Sequence, residues 1–210
     1  MPEQATSLAE RSWRRAWAGL AAIGAGDALR DDLLVRYSEP QRHYHTRQHL
    51  GECLVEFEAA AHLATRPAEV ETGLWFHDAI YDPHRNDNEE RSATLARAAL
   101  GAAGVAADAI ARVSDSILRT RHHADPVSDD ERLLLDIDLS ILAAEAPRFD
   151  EYERQIRLEY AFVAEASFHA RRANLLKALL LRPHIYHLAP FRDRLEQRAR
   201  ANLLRSIGHG

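Results

Sequence analysis

The chain has 210 residues, of which 46% are hydrophobic and 28% charged, and its net charge is −5. These proportions are ordinary for a soluble globular protein. Lys and Arg are spread along the sequence, so no basic patch indicates nucleic-acid binding. No apolar run approaches the roughly 18 residues of a membrane helix, and the first residues lack the pattern of a secretory signal. The single cysteine, Cys53, cannot form an internal disulfide, which favours a reducing, cytoplasmic location.

Helical signals dominate the whole sequence. The first segment begins with Ser7 and has Glu10 three residues later, which is the capping-box pattern. Apolar residues recur at helical spacing, and no stretch shows the sustained period of two that is typical of a strand. Helices are predicted over residues 7–24, 27–37, 46–64, 66–80, 88–104, 106–123, 128–146, 147–166, 167–183 and 191–207. The sequence therefore predicts one all-α domain of about ten helices over residues 1–210.

Histidine is the unusual feature of the composition. The chain has 12 histidines, and many of them lie between positions 43 and 123. Histidine is the commonest metal ligand and a frequent acid–base group. The clustering indicates that this part of the chain holds a site.

Two segments in this region place ligand-type side chains on apolar faces. His45 and His49 are four residues apart, which predicts one inward helical face continued by Cys53. His77 and Asp78 lie in "WFHDAIYDP", surrounded by aromatic and aliphatic residues. Charged groups in such surroundings are usually paired or bound to metal.

A third segment, "LLLDIDLSIL", carries two aspartates. The helical neighbours of Asp138 are all aliphatic, whereas those of Asp136 are mixed. An ionised carboxylate among aliphatic side chains needs a strong compensating partner, and a divalent cation would supply one. On this ground Asp138, and not Asp136, is predicted to be a metal ligand.

Each of these segments also has a structural explanation. A lone HxxxH pair is commonly structural or exposed, and a lone His–Asp pair arises by chance. Asp138 could pair with a buried arginine such as Arg42 or Arg157. Together, however, the three segments supply two histidines and two carboxylates, a set that suits a borderline divalent ion.

The order His, His–Asp, Asp on successive helices resembles the HD-domain superfamily of metal-dependent phosphohydrolases. "YHTRQH", "HDAIYDP" and "DIDLS" resemble motifs of cyclic-nucleotide phosphodiesterases, a branch of that superfamily. A closer similarity is to an uncharacterised bacterial family of predicted HD phosphohydrolases, in "EPQRHYHTRQHL", "WFHDAIYDP", "NEERSA", "LDIDLSIL", "IRLEY" and "EQRARANL". These pieces run from about residue 36 to 204, so the resemblance covers most of the chain and implies an HD-like helical bundle.

The resemblance also implies a metal centre. His49, His77, Asp78 and Asp138 match the metal ligands, and the ion would be Mn, Mg, Fe, Co, Ni or Zn. His45 matches the proton donor of the phosphodiesterases, and Asp78 would also accept a hydrogen bond from the metal-bound water. Thr46 stands where those enzymes have Asn, and neither a second metal nor cyclic-nucleotide specificity is implied.

Residues near these motifs are predicted to contact substrate. Arg42 or Arg47 could clamp a phosphate through two hydrogen bonds, although an exposed helix position is the more ordinary explanation for Arg47. Glu89 would form part of the site wall. His123 or His122 would contact phosphate or a second metal. The expected substrate is a small phosphorylated metabolite or nucleotide that is hydrolysed by a metal-activated water, and a homodimer is an open alternative to a monomer.

Two other functions can be compared with this one. A zinc protease needs HExxH, and the pair here reads His-Thr-Arg-Gln-His, so the sequence excludes that class. The rival that stays open is a non-catalytic HD protein that binds metal or a nucleotide in a regulatory or scaffold role. Measured hydrolysis of phosphate esters distinguishes the enzyme from this rival.

Overall fold

The structure is a computed structural model, and it describes residues 7–121 and 126–208. Over these two ranges the chain forms ten α-helices and two short 3-10 helices, and no strand. The all-α prediction is confirmed. The chain divides into two compact units, unit 1 (Met1–Leu134) and unit 2 (Leu135–Gly210). The single domain stays a prediction.

Unit 1 contains six complete helices and the start of a seventh. The six are α1 (Leu8–Gly19), α2 (Asp27–Arg36), α3 (Arg47–Ala60), α4 (Pro67–Phe76), α5 (Asn88–Ala102) and α6 (Ala107–Arg119). The seventh, α7 (Asp129–Asp138), continues into unit 2. α4 packs against α1, α3, α5 and α6, so it is the central helix of this unit.

Three tryptophans form the part of the core that holds α4 on α1. Trp13 stacks on Trp17 with ring centroids 5.0 Å apart and meets Trp75 edge-on at 5.1 Å. Such aromatic pairs contribute about 0.5–1.5 kcal/mol each beyond the area they bury. The Trp75 indole N–H donates to Ser12 Oγ at 2.9 Å, so its polar atom is satisfied inside the core. The end of α4 is therefore rigidly placed.

α4 is buried over most of its length. Residues 70–76 are all buried, and the one carboxylate among them, Glu71, is paired with Arg15 through an N–H···O bond of 2.9 Å. Gly73 allows α7 to approach closely, because a Cβ atom built on it would lie 2.5 Å from Leu134 Cδ1. A larger residue at position 73 would push α7 away from α4.

Unit 2 contains the rest of the chain. Its complete helices are α8 (Ala146–Glu159), α9 (Glu165–Leu180) and α10 (Ala189–Gly208). α10 packs against α9 and against the 3-10 helix Leu139–Ala143 that follows α7. Asn202 fixes that contact by donating to the carbonyls of Leu142 and Ala144, at 3.0 and 2.9 Å.

The predicted helices are all present, and the differences lie at their ends. Ser7 caps α1 as predicted, since its hydroxyl accepts the Glu10 N–H at 3.2 Å. The helix predicted over 66–80 ends at Phe76, and the helix predicted over 128–146 ends at Asp138. No helix in the described part of the chain is both long and apolar enough to cross a membrane.

Candidate metal centre

The first turn of α3 carries His49. The Thr46 hydroxyl accepts the Gln48 N–H at 3.3 Å and caps the helix, so Thr46 has a local role of its own. His49 is 2% exposed and shares a helix face with Cys53. His45 precedes the cap and lies outside the helix, so the predicted helical pairing of His45 with His49 is wrong. Their rings are nevertheless close, with centroids 6.0 Å apart.

His77 and Asp78 lie on the turn that follows α4, and not inside a helix as predicted. His77 is the C-cap residue of α4, and its backbone N–H donates to Gly73 at 2.8 Å. Its ring Nδ1 hydrogen bonds to the carbonyl of Leu74 at 2.8 Å. The carbonyls of a last helical turn have no partner within the helix, so this bond satisfies one of them and fixes the ring.

The turn is tied to α5 by two side chains of the "NEERSA" motif. The Ile80 N–H donates to Ser92 Oγ at 3.0 Å. The Asn88 side chain accepts the Asp82 N–H at 3.1 Å and donates to the Asp82 carbonyl at 3.0 Å. Asn88 is the first residue of α5, and its side chain holds the preceding loop. The motif therefore positions the His77–Asp78 turn.

Donor atoms from α3 and this turn converge. His49 Nε2 and His77 Nε2 are 3.1 Å apart. Asp78 Oδ2 lies 3.0 Å from His77 Nε2 and 3.5 Å from His49 Nε2. Cys53 Sγ lies 3.8 Å from His49 Nε2.

The spacing of the two histidine nitrogens suits one metal ion. With about 2.0–2.1 Å from zinc to each nitrogen, two tetrahedral nitrogen ligands are roughly 3.3 Å apart. The observed nitrogen–nitrogen separation of 3.1 Å is close to this value. His49, Cys53 and His77 each offer one ligand atom, and these atoms lie within 4.8 Å of one another. A His/Cys/His group that could hold a metal ion is thus present.

Both histidine rings are oriented through Nδ1. When His77 Nδ1–H donates to the Leu74 carbonyl, the lone pair of the neutral ring is on Nε2, the atom that faces His49. His49 Nδ1 is 3.0 Å from the Tyr44 hydroxyl oxygen, which can accept a hydrogen bond from Nδ1–H in the same way. Proteins commonly orient metal-binding histidines by such outer hydrogen bonds. The donor chemistry therefore fits a divalent cation.

Opposing effects act on the pKa of Asp78. Burial raises the pKa of Asp78, but when the histidine rings are protonated, the positive charges of His77 and His45 and hydrogen bonds from His49 and His77 hold it well below its usual range. Asp78 is therefore an ionised carboxylate at neutral pH. A negative charge beside two ring nitrogens is a favourable environment for a cation.

Arg42 serves the structure of the site rather than the phosphate clamp that was predicted. Nη1 donates to the carbonyls of His45 and Asp78 at 3.1 and 2.6 Å, and Nη2 donates to Ala79 at 3.1 Å. Nε donates to Glu39 Oε2 at 3.0 Å. The guanidinium joins the segment before α3 to the turn after α4, because its hydrogen bonds reach both.

Two aromatic rings pack on the same guanidinium. Arg42 Cζ lies 5.2 Å from the ring centroid of Tyr37 and 5.6 Å from that of Tyr81. The side chain has no exposed surface. A substrate phosphate would have to displace buried backbone contacts to reach it, so we assign Arg42 to positioning and not to substrate binding.

His45 and Glu89 lie near Asp78 and are both partly exposed. The His45 ring stacks on Tyr81 with centroids 4.0 Å apart and an interplanar angle of 26°. Burial raises the pKa of Glu89, and the negative charge of Asp78 raises it further. The place of Glu89 in the wall of the site stays a prediction.

The aspartate in the apolar interior is Asp136, whereas Asp138 is only partly buried. Both carboxylate oxygens of Asp136 accept backbone N–H groups, from His187 and Leu188, at 2.7 Å each. Burial raises the pKa of Asp136 to about 7. The argument that favoured Asp138 was therefore wrong about the two environments. Asp138 as a metal ligand stays a prediction that rests on its match to the HD motifs.

Two predicted residues, His122 and His123, lie outside the described residues. Two other side chains of the site were not predicted to act in it. Cys53 was taken only as part of an inward helix face, although its spacing of four from His49 could have indicated a shared site. Tyr44 gives no such signal, because its contact with His49 depends on the bend before α3.

Comparisons with protein-family models, with curated proteins and with solved structures found no match to this chain. The resemblance to the HD-domain superfamily therefore rests on the sequence motifs. The arrangement of the site adds a His/Cys/His cluster in an all-helical fold.

Proposed function

We propose that this chain is a metal-dependent phosphohydrolase of the HD type that acts on a small phosphorylated metabolite or nucleotide. Its proposed metal ligands are His49, His77, Asp78 and Asp138. The observation that carries the proposal is the approach of His49 Nε2, His77 Nε2 and Asp78 Oδ2 to within 3.5 Å of one another. The order of these residues in the sequence adds support, since it is the order of the HD motifs.

A bound divalent ion would supply Lewis acidity, which lowers the pKa of a coordinated water from about 15.7 to roughly 7–9 and neutralises charge on phosphoryl oxygens. The protein supplies the orientation of the donors. Tyr44 and the Leu74 carbonyl hold the two imidazoles, and Arg42 holds the backbone of Asp78. Asp78 has a second carboxylate oxygen, which can accept a hydrogen bond from the attacking water.

His45 is the proposed proton donor to the leaving oxygen. Its ring is held flat against Tyr81, and its backbone carbonyl is held by Arg42 at 3.1 Å. Since the side chain is only partly buried, it keeps the access to solvent that it needs to regain a proton after each turnover. This assignment makes His45 an acid–base group and not a metal ligand.

Hydrolysis by protein of known metal content tests the proposal. The panel contains phosphomonoesters, phosphodiesters and nucleotides, each offered with the candidate divalent ions. The wild-type chain should hydrolyse at least one of them, and His77→Ala should not. Asp136→Asn is the matched control, because it changes a buried aspartate whose partners are backbone N–H groups. Equal turnover in the wild type and His77→Ala would contradict the proposal.

The same experiment decides between the enzyme and the non-catalytic alternative. A regulatory or scaffold protein would bind the ion and hydrolyse no member of the panel. Retained metal without any turnover would therefore favour the regulatory role. Turnover that depends on His77 and on added metal would favour the enzyme.

A further inference from the structure

Cys53 lies against the candidate metal ligands but corresponds to none of the HD motifs. It is one helical turn after His49 on α3 and is 1% exposed. Its Sγ atom lies 3.7 Å from His49 Nδ1 and 3.8 Å from His49 Nε2. The sulfur therefore faces the imidazole ring whose Nε2 is directed at His77.

A purely structural role is the ordinary explanation for a buried cysteine, which behaves as a small apolar side chain. Leu50 and Leu54, its neighbours on α3, do have that role in the core. Cys53 differs from them because ligand atoms of two buried histidines, His49 and His77, are within 4.8 Å of its sulfur.

We infer that Cys53 is a thiolate ligand of this metal centre, and that the centre consequently selects a thiophilic divalent ion such as zinc or cobalt over magnesium or manganese. The inference rests on the proposed function, since both require the metal site of His49 and His77. On binding, the thiol loses its proton to solvent and the sulfur lone pair forms the bond to the ion. No oxidation or reduction takes place.

The donor types explain the selection. Thiolate sulfur is a soft ligand that suits zinc, whereas magnesium and manganese are bound mainly by carboxylates, carbonyls and water. The negative charge of the thiolate also affects how strongly the centre binds a cation. Asp78 and Asp138 already balance a divalent ion, so a thiolate gives the centre one excess negative charge. The excess charge strengthens cation binding and weakens the acidity of any water on the ion.

Cobalt absorption spectra test this directly, because Cys53 is the only cysteine in the chain. Cobalt(II) bound through a thiolate gives a sulfur-to-metal charge-transfer band in the near ultraviolet, in addition to its visible bands. The wild-type chain should show both the charge-transfer band and the visible bands. Cys53→Ser should keep the visible bands and lose the charge-transfer band. Its zinc affinity should fall by more than the roughly 10–100-fold typical of a lost outer-shell partner, while its manganese affinity changes little.

X-ray absorption on the zinc-loaded wild type gives a second measurement that needs no variant. A sulfur scatterer at about 2.3 Å from zinc supports the inference, and a shell of nitrogen and oxygen alone at about 2.0–2.2 Å overturns it. Visible cobalt bands without charge transfer also overturn the role of Cys53 but leave the His–Asp site intact. Absence of any bound cobalt or zinc overturns both the inference and the proposed function, so the two failures are distinguishable.

Discussion

Two aspartates, one in each unit, show how differently a protein can accommodate a buried carboxylate. Asp136 in unit 2 has both oxygens on backbone N–H groups at 2.7 Å, and burial raises its pKa to about 7. Asp78 in unit 1 faces the ring nitrogens of His77 and His49 at 3.0 and 3.5 Å, and its pKa is held well below the usual range. Burial raises the pKa of both aspartates, so the difference between their pKa values comes from the groups that each one contacts.

The comparison separates a structural carboxylate from a candidate ligand. Backbone N–H groups can only donate hydrogen bonds, so the partners of Asp136 cannot share a cation with it. Imidazole Nε2 atoms can donate their lone pairs to a metal, so the histidine partners of Asp78 can share a cation with it. The carboxylate deep in the apolar interior is therefore the structural one, and the one beside histidines is the functional candidate.

The largest expected difference between the two aspartates is in turnover. Asp78→Asn should reduce kcat/KM by at least about 10³-fold, because a catalytic metal supplies several kcal/mol and each 1.36 kcal/mol corresponds to about tenfold. Asp136→Asn should retain most of the activity of its folded fraction. Steady-state hydrolysis of the best substrate in the panel measures both. A smaller loss in Asp78→Asn than in Asp136→Asn would reverse the assignment.

The proton donor should show a smaller and more selective effect. His45→Ala should keep its metal and lose about 10²–10⁴-fold in kcat, the usual range for general acid–base catalysis. The loss should shrink for nitrophenyl phosphates, because nitrophenolate leaves without a proton. Metal analysis accompanies the kinetics. Metal loss in His45→Ala would show that His45 is a ligand, and equal losses for good and poor leaving groups would show that it is not the acid.

Arg42 should influence the site through the backbone. Arg42→Gln loses donors to the carbonyls of His45, Asp78 and Ala79, so metal affinity should fall about 10–100-fold, as for other outer-shell contacts. Arg47→Gln is the matched control, since Arg47 is exposed and donates to Leu34 at 2.8 Å. Competition with a chelating metal indicator measures both variants. Similar affinities in the two variants would contradict the positioning role of Arg42.

Asp136 should matter for the stability of the fold and not for the metal. Asp136→Asn replaces one acceptor oxygen by an NH₂ group, so one of the two N–H groups of His187 and Leu188 loses its partner. An unsatisfied buried donor costs about 1–3 kcal/mol of unfolding free energy. Urea denaturation measures the change, and metal affinity should be unchanged. A variant that is as stable as the wild type but loses metal would place Asp136, rather than Asp78, among the ligands.

The fold could be predicted from the sequence because its signals are local. The Ser7 cap and the helical spacing of apolar residues predicted α1, and similar patterns predicted the other helices. The predictions failed at helix ends close to the site. His77 lies past the end of α4, where its own ring satisfies a helix carbonyl, and apolar spacing does not detect such a stop.

The candidate site was predictable in its residue types and less so in their environments. His49, His77 and Asp78 follow from the motifs, and the structure brings their ligand atoms together. The burial of Asp136 and the backbone contacts of Arg42 depend on segments that are distant in sequence, at positions 187–188 and 78–79. Helical neighbours alone do not reveal such contacts.

Metal content is the most direct test of the central claim that His49, His77 and Asp78 hold a divalent ion. Elemental analysis of chain purified without chelator, then dialysed against a zinc buffer, measures the ions bound per chain. One tightly bound ion is expected in the wild type and in Asp136→Asn, and none in His77→Ala. The bound ion should also raise the unfolding free energy by about 2.7 kcal/mol at a hundredfold excess over its dissociation constant. A wild-type chain without metal, or His77→Ala with an unchanged metal content, would contradict the account.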